Sequence, residues 1–135
     1  MARTTTSTYQ PASVASAFER ARGGENPRVA LGDFLDDWRR TPSDARAALV
    51  IEPIAAAGRR ISLRRWAAYF AATVEQLCAL DGIDAPGWVN REDYRLDEPW
   101  FLVEGLALRA LLLVSTPVPF KRRNIYSGES SLTRV

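Results

Sequence analysis

The chain has 135 residues, of which 47% are apolar and 25% charged, and a formal net charge of +2. These values fit one globular domain with a core of its own, and the charge is too small to argue by itself for nucleic acid. Histidine is absent and Cys78 is the lone cysteine. This excludes Ser-His and Cys-His nucleophile pairs, histidine metal sites, internal disulfides and multi-cysteine zinc sites.

Residues 1–10 form a Thr- and Ser-rich leader without periodicity, read as disordered, and residues 11–135 as a single helical domain. The leader lacks an apolar signal core. The longest apolar run, Trp100 to Val114, is broken by Glu104 and Arg109 and is too short to span a bilayer. The expectation is a cytoplasmic protein without membrane contact. A first helix is predicted from about Ala12 to Arg22, with Val14, Ala17, Phe18 and Ala21 on one face. Gly23 and Gly24 end it. Asn26-Pro27 is a cap followed by a first-turn proline, and it opens a helix with the stripe Leu31, Phe34, Leu35 and Trp38, leaving Asp33, Asp36 and Asp37 outward. Thr41-Pro42 repeats the signal for a third helix carrying Ala45, Ala48 and Leu49, which cannot pass Pro53.

Ser62 opens the best-marked helix, to about Leu80, with Leu63, Trp66, Phe70, Val74 and Leu77 on a broad apolar face; Asp81-Gly82 stops it. A loop follows from Ile83 to Arg95, with Trp88 as its plug. Asp97-Glu98-Pro99 then starts a helix through Val114 that is apolar nearly all round, so it is expected at the centre. Thr116-Pro117 starts a short turn through Asn124, Ile125-Tyr126 is expected to be extended, and Ser130 to Arg134 to form a last turn. No stretch alternates long enough to predict a sheet. The predicted fold is all-α: a compact bundle of five or six helices, a central apolar helix at about 98–114, and a docked C-terminal segment.

Charge is segregated along the chain. Residues 1–65 hold eleven arginines against seven acids, residues 66–104 hold eight acids against two arginines, and residues 105–135 hold five cations against one acid. Two cation clusters stand out as partner- or phosphate-binding candidates. Arg59, Arg60, Arg64 and Arg65 surround a helix start, where guanidinium forks and unpaired amides both favour anions. The competing reading is that they solvate the entrance of a helix whose other face is buried. Lys121, Arg122 and Arg123 lie between Phe120 and the pair Ile125 and Tyr126, which would hold them in a fixed pose toward a partner or clamp them onto the acids of residues 75–104.

Other candidates have structural readings. Asp81, Asp84, Glu92, Asp93, Asp97 and Glu98 lack the spacing of a calcium loop; Asp97 reads as a helix cap and Glu98 as a first-turn acid. Trp88, Trp100 and Phe101 read as core, with an aromatic binding floor as the alternative. Glu104 and Arg109 interrupt an apolar helix and would each need a partner if buried. Cys78 reads as a small buried hydrophobe. No metal, cofactor or catalytic pair is expected, and the protein reads as a binder, not an enzyme.

The segments Leu96-Asp97-Glu98-Pro99-Trp100-Phe101, Leu108-Arg109-Ala110-Leu111 and Ser115 to Ile125, with Trp88 and Asp33-Phe34-Leu35-Asp36 upstream, resemble a little-characterised bacterial helical module. The resemblance spans roughly residues 26–135 and is sharpest in the last forty. Such modules occur alone or after a helix-turn-helix domain, often encoded beside a nucleotidyltransferase-type toxin. The resemblance therefore implies an antitoxin or regulatory subunit that contacts a nucleotidyltransferase-like protein partner. A nucleic-acid-binding regulator using the arginine clusters is the alternative. The first sixty residues hold no helix-turn-helix pattern, which favours the protein partner.

Overall fold

Ser13 starts the first helix: its Oγ accepts the Ser16 N–H at 3.1 Å, and α1 runs Val14–Arg22. Val14, Ala17, Phe18 and Ala21 are buried, and Gly24 takes the positive φ, 108°, that turns the chain. The Asn26 side chain accepts the Arg28 N–H at 2.9 Å, with Pro27 opening α2, Pro27–Arg40, which packs on α1. One expectation fails here. Asp37 does not face outward: it is buried, accepts the Ala12 N–H at 2.8 Å and pairs with Arg40 at 3.5 Å. A carboxylate can be buried there because a backbone donor and a cation satisfy it, and it fixes where the chain enters α1. The computed structural model describes residues 11–102 and 106–127; the leader at 1–10, Glu104 and the last turn expected at Ser130 to Arg134 lie outside them.

The segment after Thr41-Pro42 is a 3₁₀ helix, Ser43–Leu49, not an α-helix, and none of its own side chains is buried. Ala45 and Ala48 are exposed. Such small side chains bury too little area to draw a seven-residue segment into the core. Arg46 reaches back instead to the Trp38 and Thr41 carbonyls at 2.9 Å each, and to Asp81 at 2.6 Å. Residues 50–57 are irregular, and two aromatic donors hold them: Trp88 Nε1 to the Val50 carbonyl at 2.9 Å and the Tyr94 hydroxyl to the Ile54 carbonyl at 3.0 Å. Trp88 thus plugs its loop as expected.

Helix α3, Ile61–Asp81, is the centre of the molecule. Every residue from Ala67 to Val74 is buried, and α1, the short helix α5 (Val118–Lys121) and the 3₁₀ turns Gly87–Asn90 and Glu92–Tyr94 surround it. Phe70 meets Phe18 edge-on at 5.2 Å, and Tyr69 meets Phe120 at 5.0 Å. Gly82, at φ 69°, gives the left-handed stop. The expected central helix at 98–114 is corrected on two counts. Trp100–Phe101 forms a strand, β1, so α4 spans Leu106–Ser115. On α4, Leu112 is buried while Leu111, Leu113 and Val114 are 57%, 50% and 77% exposed. Asp97 and Glu98 therefore do not cap a helix.

The C-terminal segment is docked, as expected. After α5, Ile125–Tyr126 forms β2, parallel to β1, with Trp100 opposite Ile125 and Phe101 opposite Tyr126. The Leu96, Trp100 and Leu102 amides donate to the Arg123, Asn124 and Tyr126 carbonyls at 3.2, 2.8 and 3.1 Å. Asn124 turns the chain at φ 65° and donates its side-chain amide to the Leu96 carbonyl at 2.7 Å. The fold is all-α apart from this pair. Among the described residues no helix is long and apolar enough to cross a membrane.

Candidate functional site

Gly58, at φ 71°, turns the chain into Arg59 and Arg60, both exposed, and Arg60 occupies the cap position of α3 without a side-chain cap bond. The first turn of α3 carries no acid. Free amides at a helix start and four guanidinium groups therefore add in sign. None of Arg59, Arg60, Arg64 and Arg65 makes an ion pair among the described residues. The contrast with the earlier helices is sharp. Arg20 pairs with Glu25 and Asp33, Arg22 with Glu19, Arg39 with Asp36 and Arg40 with Asp37.

Aromatic side chains support this cationic surface. Arg65 lies over the Trp100 ring at 5.8 Å and Arg28 over Trp66 at 5.4 Å, while Trp66 and Trp100 meet edge-on at 5.1 Å. A cation stacked on a ring is held in place yet still presents its N–H donors. Two adjoining clefts open beside it. One, of about 270 Å³, lies between Ile61, Arg64 and Arg65 of α3 and Leu96, Asp97 and Glu98. The other, of about 320 Å³, is lined by Ala56, Ala57, Gly58, Arg64 and Asp93. Arg64 stands on both.

The second predicted cluster does not stay together. Arg123 is 3% exposed and donates to the Pro119 and Val89 carbonyls at 2.7 Å each and to Glu75 at 2.8 Å. Burial pushes its guanidinium below the ordinary value, and Glu75 pulls it back. Arg123 is therefore removed from the binding candidates: its donors are occupied inside the protein. Arg122 is more exposed and shares Glu75, and Lys121 has no ionic partner among the described residues. The clamp onto the acid-rich middle holds for Arg122 and Arg123.

The remaining candidates resolve individually. Asp81 pairs with Arg46. Arg109 is exposed and lies over Phe101 at 5.0 Å, so the interruption it makes in the apolar run faces out. Among the described residues no cluster of acids and cysteine could hold a metal ion. Cys78 is fully buried, and burial pushes its thiol up to about 11, far from a reactive thiolate. Sequence reasoning missed Arg28 and the clefts, and it set Asp93 aside with the other acids of its loop. Arg28 and Trp66 come together across two helices, which no spacing rule encodes. No protein-family model, curated protein or solved structure matches the chain.

Proposed function

We propose that the protein is a non-catalytic binding protein, an antitoxin or regulatory subunit that neutralises a nucleotidyltransferase-like partner by direct contact in the cytoplasm. The observation that carries the reading is the set of guanidinium groups of Arg59, Arg60, Arg64 and Arg65 at the start of α3, without ionic partners among the described residues. Arginines left unpaired on a rigid helix suit the acidic or nucleotide-binding surface of a partner. Lys121 and Arg122 offer a second contact. The resemblance of residues 96–125 to modules encoded beside such toxins supplies the partner class. Co-expression with the neighbouring gene should give a stable complex and relieve growth arrest. Replacing Arg59 and Arg60 with alanine should weaken that complex at least tenfold while leaving the fold intact. Failure of the unmodified protein to co-purify with the partner or relieve toxicity would overturn the reading.

The Arg28–Trp66–Trp100–Arg65 arrangement favours a second reading, a nucleic-acid-binding regulator, because guanidinium groups held over rings can present their donors to phosphates. Binding to a single-stranded oligonucleotide should then fall steeply as salt rises. Absence of any shift at low salt would end it.

A further inference from the structure

The cleft beside α3 carries both signs of charge. Helix α3 contributes Ile61, Arg64 and Arg65 to its lining, and the segment before β1 contributes Leu96, Asp97 and Glu98. No ion pair crosses it among the described residues, and none of the four charged groups has an ionic partner elsewhere among them. Opposite charges that line one cleft without joining leave room for both an acceptor of the arginine donors and a donor to the carboxylates. Arg65 lies over the Trp100 ring instead.

We propose that this cleft is the docking site for a segment of a protein partner that presents an acidic and a basic side chain close together. The acid would take the Arg64 and Arg65 forks, and the base would lie against Asp97 and Glu98. Apolar stems of both would rest on Ile61 and Leu96. The cleft, of about 270 Å³, is lined by both signs of charge beside apolar side chains, which suits paired side chains of a docked chain. A polyphosphate fits poorly: the carboxylates in the lining, and Asp93 in the adjoining cleft, repel it. The proposal rests on reading the protein as a binder and specifies the chemistry of what it binds.

Three probes of matched length or charge separate the outcomes on the intact protein: a blocked peptide alternating Glu and Lys, a blocked peptide of Glu and Gly, and inorganic triphosphate. NMR titration should show the alternating peptide binding most tightly, with shifts concentrated at residues 61–65 and 96–98. Asp97→Asn combined with Glu98→Gln should weaken it at least fivefold, and Arg64→Gln should do the same. Both changes lie at the surface, and an unchanged denaturation midpoint would confirm the fold. Triphosphate binding best, or tighter binding once the carboxylates are neutralised, would show a simple anion site and overturn the proposal. Failure of the alternating peptide to bind would overturn it too. If the partner co-purifies equally with the Asp97→Asn/Glu98→Gln variant, the cleft proposal falls while partner binding stands. If the peptide binds but no partner co-purifies, the reverse holds.

Discussion

Arg122 and Arg123 are adjacent, chemically identical and bound to the same carboxylate, yet burial gives them different tasks. The Arg122–Glu75 pair is solvent-exposed on the arginine side, where ion pairs contribute little. Arg122→Ala should therefore shift stability by about 0.5 kcal/mol in a urea titration. Arg123→Ala leaves the Pro119 and Val89 carbonyls without their donor and Glu75 with Arg122 alone, and should cost about 3 kcal/mol. Sequence patterning left this triplet between a partner-facing pose and a clamp onto the acid-rich middle, because the choice depends on where the Val89 carbonyl and Glu75 lie. Cys78 makes a second prediction. Its folded thiol holds a proton to about pH 11, whereas an ordinary thiol releases it near 9, and Tyr94 shifts upward as well. Stability should be intact below pH 9 and fall from 9 to 11. The cysteine contributes a slope of at most about 1.4 kcal/mol per pH step. Cys78→Ala should flatten the first part of that decline in pH-dependent unfolding.

At the level of elements, some helix termini were legible because capping is local, while the start signal at Asp97-Glu98-Pro99 opened no helix. Asn26-Pro27 and Gly82 act where their chemistry predicts. The depth of a helix was not legible. Residues 98–114 are the more apolar stretch, but Pro99 and the pairing of β1 with β2 break it and leave much of α4 facing out. In α3, Ala67, Ala68, Ala71 and Ala72 let neighbours approach from every side. Small residues bury a helix by admitting contact, which hydropathy ranks low. Two leucines on α4 test the assignment. Leu113→Glu should change stability by about 0.5 kcal/mol or less, while Leu112→Ala should cost about 2 kcal/mol or more, both measured by chemical denaturation. Where the irregular 50–57 segment is concerned, Tyr94→Phe removes the donor to a carbonyl and should cost about 1 kcal/mol in the same assay.

Across the whole molecule, the charge blocks seen along the chain partly interleave. Arg46 meets Asp81, and Glu75 meets Arg122 and Arg123, so both ends draw on the acidic middle. The start of α3 escapes this neutralisation, which is why its arginines remain the candidate site while the C-terminal triplet largely does not. Spacing alone identified those four arginines; the mixed-sign cleft at Arg64 and Arg65 required the fold to bring Asp97 and Glu98 beside them. Replacing Arg59 and Arg60 with alanine should leave the melting temperature nearly unchanged, since both are exposed and neither side chain makes an ion pair among the described residues.

The side-chain clasps join residues far apart in sequence: Trp88 to Val50 over 38 positions, Tyr94 to Ile54 over 40 and Arg123 to Val89 over 34. Helices form from neighbours, whereas such closures must wait until long loops have been brought together. The Arg123 clasp is thus expected to close after the folding barrier has been crossed. Weakening it should steepen no part of the refolding limb of a chevron and should accelerate unfolding. What Arg123 governs, on this view, is how long a folded molecule survives before it opens.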